Sequence, residues 1–119
     1  MMPLNALHPW SLMLQRGQPD PPMPMTLVTL RGTEGACADE VAFYTDAEFD
    51  ALVDWAKSGL FVMAFVARER DELVLLCTES VEAMRLQVSQ LPLVAAGLAK
   101  ADIRSVATLR LAGRPIPMH

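Results

Sequence analysis

Apolar and polar positions alternate along this chain with two different periods, and the changes of period mark out its elements. Met25 to Arg31 (MTLVTLR) is a short run rich in Val, Leu and Thr, the texture of a strand. The residues TEGACADEVAF that follow Gly32 are small and acidic and read as a loop. Thr45 and Glu48 then stand at the spacing of a capping box, with Tyr44 and Phe49 in the two positions of a hydrophobic staple, so a helix is expected to open at Thr45. Phe49, Leu52, Val53, Ala56 and Leu60 recur at helical spacing, Asp50, Asp54 and Lys57 fall on the other side, and Gly59 is placed to stop the helix.

Phe61 to Ala67 (FVMAFVA) is apolar at both parities, as expected of a strand covered on two faces. The charged turn Arg68 to Glu72 and a second apolar run, Leu73 to Cys77, complete a hairpin. Ser80 offers an N-cap, Glu82 puts negative charge in the first turn, and Val81, Met84, Val88 and Leu91 mark the buried face of a second helix that ends at Pro92. After the break LPLVAAG, Ala101 to Leu111 alternates. Ile103, Ser105, Ala107, Leu109 and Leu111 share one face, and Arg104, Val106, Thr108 and Arg110 the other. The expected fold class is therefore α+β, a ferredoxin-like βαββαβ chain: a four-stranded antiparallel sheet with two helices on one face. The uncovered face would still carry apolar residues, which a two-fold pairing with a second copy would bury, so a homodimer is expected.

Residues 17–24 (GQPDPPMP) hold four of the nine prolines and form a linker. This divides the chain into an N-terminal arm, 1–24, in which Trp10 to Gln15 reads as an extra strand, and a ferredoxin-like domain, 25–119. With 52% hydrophobic and 20% charged residues the composition is apolar, yet no uninterrupted run is long enough to span a bilayer. The formal charge of -4 argues against a nucleic-acid partner. Cys37 and Cys77 lie far apart without a CxxC pair or a His cluster, and the first residues carry no Lys or Arg before their apolar positions. A cytoplasmic protein with no membrane partner is the expectation.

The stretch Glu72 to Ala112 resembles the C-terminal half of the muconolactone isomerase-like and YCII-related families. The strand LVLL, the helix opening Ser80-Val81-Glu82-Ala83, the break from Leu91-Pro92-Leu93 to Gly97-Leu98 and the last alternating strand carry the resemblance. It implies a dimeric α+β barrel, in some members assembled into larger rings, with a ligand cleft near the dimer interface. YCII-like proteins have Asp-Pro where this chain has Leu91-Pro92, and an early helix His where it has Phe49 and its neighbours, so their His–Asp pair is absent. The Leu-Pro-Leu form is nearer to the isomerase branch, which implies a cofactor-independent proton shift on a small organic acid or lactone.

A carboxylate substrate needs an anchor, and Arg104, which shares a strand face with Arg110, is the candidate; the alternative makes both arginines rim partners of acids. Tyr44 and Trp55 are candidates to line the pocket, against a plain packing role. Glu34, Asp39 and Glu40 would supply a base if their loop covered the cleft. Cys77 reads as an inert core thiol, and His8 and His119 as surface or terminal residues without metal partners. No acid matches a catalytic position of the family, no metal site is signalled, and the scattered glycines give no phosphate loop, so no cofactor is expected. Three functions stay open: an isomerase-like enzyme, a non-catalytic dimeric module binding a small ligand or partner, and a structural subunit that makes its contact through the arm.

Overall fold

In the computed structural model, which describes residues 9–13 and 23–109, the elements run α1 (Pro9–Met13), β1 (Pro24–Gly32), α2 (Ala38–Lys57), β2 (Phe61–Ala67), β3 (Glu72–Cys77), α3 (Val81–Ser89), α4 (Pro92–Ala95) and β4 (Ala99–Ala107). The four strands form one antiparallel sheet in the order β2-β3-β1-β4. Met25–Val106 is one compact unit; of the other described residues, 9–13, 23–24 and 107–109 fall in a second. Within the second unit the Thr108 N–H donates to the Met23 carbonyl at 3.1 Å, and the Met23 N–H to Thr108 Oγ1 at 3.0 Å.

Register separates the two faces of the sheet. Thr26, Val28 and Leu30 of β1 stand opposite Cys77, Leu75 and Leu73 of β3, and cross-strand partners share a face. Val28, Leu30, Leu75 and Cys77 pack with Trp55 of α2, Met84 and Val88 of α3, and Leu91 into the core, so both long helices cover this face. Each large aliphatic side chain sealed there contributes about 1.5–3 kcal/mol. The opposite face carries the rows Met63–Leu76–Leu27 and Phe65–Val74–Thr29, and no helix covers it among the described residues.

Helix ends follow local chemistry. Ser80 Oγ accepts the Ala83 N–H at 3.2 Å and opens α3 as its sequence promises. Two other helices close in the same way. Gly59 (φ 75°) and Gly97 (φ 76°) take left-handed backbone, while Leu60 and Leu98 donate back to the carbonyls of Trp55 and Leu93 at 2.9 and 2.8 Å. This pairing is the Schellman motif, and it buries Leu60 and Leu98 against the helix just ended.

Several expectations are corrected. The sheet is open and is not closed into the expected barrel: β2 and β4 are its edges, and among the described residues no further strand pairs with either. The first long helix starts seven residues earlier than the expected capping box, at Ala38, so Thr45 and Glu48 lie inside it. There Thr45 Oγ1 donates to the Val41 carbonyl at 2.8 Å, the bond of a mid-helix threonine and not of a cap. The expected staple residue Phe49 points outward and is 66% exposed. β2, expected to be covered on both sides, is an edge strand, with Val62, Met63, Phe65 and Val66 each more than half exposed. The arm's Trp10-containing run is helical over Pro9–Met13 and not a strand.

Candidate functional site

The inner stripe of α2 can be read directly from its spacing. Val41, Glu48, Leu52 and Trp55 follow one another at seven, four and three residues, a single helix face. Trp55 enters the core and Leu52 packs on it, while Glu48, only 8% exposed, puts a carboxylate where packing alone would favour a leucine.

The turn after α3 supplies the reason. Leu91 is the N-cap of α4 and has no side chain able to cap, and Pro92 at the first helical position has no N–H to satisfy. The next amide, Leu93, still requires an acceptor, and it donates to Glu48 Oε1 at 3.0 Å. Glu48 therefore caps α4 from a neighbouring helix and ties α2 to the Leu91-Pro92-Leu93 turn.

Burial raises the Glu48 pKa above its ordinary 4.5, and the Leu93 bond opposes that shift only in part. The second oxygen is differently placed. Oε2 has no hydrogen-bond partner among the described residues, and no buried side-chain oxygen there lacks a partner. Oε2 is therefore not fully sealed off, and Glu48 is one of the residues that line a cleft of roughly 320 Å³. Leu30, Leu52, Val66, Leu73, Leu93 and Leu98 make its walls, and Arg31, Asp71 and Glu72 give it charge. Arg31 Nε lies 3.7 Å from Glu72 Oε2, a long ion pair. An apolar cleft with one desolvated carboxylate open to it is equipped to take a proton from a bound molecule and return it.

The three ligand-binding candidates from the sequence lie elsewhere. Arg104 is on β4 with its side chain 70% exposed, and its Nε donates to Asp102 Oδ2 at 2.7 Å. Tyr44 is half-buried and meets the ring of Phe43 edge-on at 5.0 Å. Trp55 is a core residue, two turns along α2 from Glu48. None of the three lines the cleft. Of the three acids expected in a loop, Asp39 and Glu40 fall in the first turn of α2 and Glu34 precedes it. Cys77 is sealed beneath the helices, its thiol pushed up to about 11 by burial. His8, Arg110 and His119 lie outside the described residues.

Glu48 is the residue that sequence reasoning missed. Its signal was the four- and seven-residue spacing to Leu52 and Trp55, which the capping-box pattern at Thr45 concealed. Among the described residues no group of three or more His, Cys, Asp or Glu is placed to hold a metal ion, and no helix is long and apolar enough to cross a membrane. Comparison with protein-family models and with curated proteins finds no match.

Proposed function

We propose that this chain is a small, cofactor-independent, cytoplasmic enzyme of the isomerase type, moving a proton on a small organic acid or lactone held in the apolar cleft, with Glu48 as the transfer group. The observation that carries the reading is Glu48, a nearly buried carboxylate that lines the apolar cleft and has one oxygen without a hydrogen-bond partner among the described residues. As a carboxylate, Glu48 removes a proton from a carbon next to the substrate carbonyl, leaving an enolate. The carboxyl proton equilibrates with solvent, and Glu48 returns a proton either to the original carbon or to a conjugated carbon; in the second case the double bond shifts, and no net reactant is consumed. The raised pKa brings Glu48 closer to the proton affinity that such a shuttle needs, and the Leu93 N–H holds Oε1 so that Oε2 keeps its aim.

Incubating the protein in D2O with unsaturated lactone acids and following their C–H signals by NMR tests this. Solvent deuterium is expected to enter the position next to the carbonyl, and Glu48→Gln, which keeps an acceptor for Leu93 but has no basic oxygen, is expected to abolish the exchange. Equal exchange in wild type and variant would remove Glu48 from the chemistry.

The Leu93 bond also supports a second reading, in which Glu48 only caps α4 and the chain is a non-catalytic ligand- or partner-binding module. Wild-type protein that binds these acids without exchanging their protons would favour it. Under either reading the partner for the uncovered sheet face is a second copy of the chain. Met63 and Phe65, each 51% exposed, stand in apolar rows with Leu76 and Val74, an apolar face of the kind that a two-fold pairing buries.

A further inference from the structure

Beside the apolar cleft lies a second, more polar cavity, lined by Arg31, Gly32, Glu34, Lys100 and Ala101. The two cavities share Arg31 and Gly32. Gly32 does not have the positive φ that would demand glycine, and a Cβ built there meets nothing within 4 Å. Space is therefore open at the point where the cavities meet, and Gly32 keeps a side chain out of it.

Two cations lie at that point. The Thr33 N–H donates to the Leu98 carbonyl at 2.9 Å, and two residues along each strand from that bond Arg31 and Lys100 line the same cavity. Like charges that share one cavity repel, and the local acids offset them incompletely. Glu72 reaches Arg31 only at 3.7 Å. Asp102, two residues along β4 from Lys100, is paired with Arg104. Lys100 has no acid within ion-pair distance among the described residues, Glu34 included.

We infer that the cleft and the polar cavity form one binding site for an amphipathic carboxylic acid, its apolar body against the leucine walls and its carboxylate passing Gly32 to Arg31 and Lys100. This rests on the cleft reading above and assigns the anchoring role to these two residues in place of Arg104. Arg31 presents a fork suited to a carboxylate and Lys100 a point charge beside it. Glu34 opposes the bound anion.

The test uses phenylbutyrate and its neutral isostere phenylbutanamide as probes, titrated into the full chain and followed by amide chemical shifts. Wild type is expected to bind the acid about tenfold more tightly than the amide, the scale of one charge-assisted hydrogen bond, and to lose part of that preference at high salt. Lys100→Gln and Arg31→Gln are expected to erase the preference by weakening the acid far more than the amide. Glu34→Gln is expected to tighten acid binding. Gly32→Val, filling the passage, is expected to weaken both probes, which share one shape. Acid and amide binding alike, with Leu93 and Leu98 resonances moving, would overturn the anchor and leave the cleft standing. An acid preference that survives in Lys100→Gln and Arg31→Gln would also overturn it. No binding of either probe would overturn the cleft and the anchor together.

Discussion

Glu48 holds two roles with its two oxygens, and they can be separated by substitution. Glu48→Gln keeps an acceptor for the Leu93 N–H and removes the desolvated charge, so thermal unfolding at neutral pH should show stability equal to or above wild type. Glu48→Ala leaves Leu93 uncapped and should cost about 1 kcal/mol by the same measurement. The pH dependence has a definite sign. Folding raises the Glu48 pKa above 4.5, so the folded chain binds this proton more tightly than the unfolded chain does. The resulting contribution to stability is complete below about pH 4.5 and is lost as pH rises through the higher folded value. Denaturant titrations across that window should show this slope in wild type and its absence in Glu48→Gln. The two cysteines give a second check at this scale. Cys37 is exposed, and Cys77 is buried with its thiol pushed up to about 11, so a thiol reagent near neutral pH should titrate one cysteine in the folded chain and two in denaturant.

Among the elements, those whose boundaries rest on short-range chemistry were legible in the sequence. Ser80 opens α3 and Gly59 closes α2 because a side-chain oxygen and a left-handed residue act within a few positions of themselves. The start of α2 was not legible, because Thr45, Glu48, Tyr44 and Phe49 satisfy a capping box and a staple by spacing alone. Only tertiary packing turns Glu48 inward, and the pattern cannot show the Leu93 amide waiting there. β2 was misread for a related reason. An apolar strand has the same composition in the middle of a sheet as at its edge, and FVMAFVA carries no mark of the missing neighbour. The α4 turn makes an element-scale prediction. Gly97→Ala forces a Cβ into left-handed backbone and should cost about 1–2 kcal/mol in chemical denaturation, with no loss of space since nothing lies within 4 Å of that Cβ.

For the whole molecule, α+β class, the four strands of the sheet and the hairpin were readable from period changes, while the extra strand expected in the arm was not there. The closed barrel was not a property of the chain, whose sheet has two free edges. The core is small and concentrated, and Leu75, at 1% exposure, sits at its centre; Leu75→Ala should cost about 2–5 kcal/mol. Self-association belongs to the other face. Sedimentation velocity at micromolar concentration should show a dimer in wild type and a monomer in Phe65→Lys, which places charge in the middle of the uncovered rows. A wild-type monomer would remove the second copy from the account without touching the cleft.

The measurement that bears most directly on the account is an NMR titration of the Glu48 side-chain carboxyl carbon, free and with an amphipathic acid bound. The account predicts a midpoint clearly above 4.5 in the free protein and a change in that midpoint once the cleft is filled. A midpoint at or below 4.5 that does not respond to the ligand would mean that Glu48 is a solvated cap and that the cleft holds no proton-transfer group.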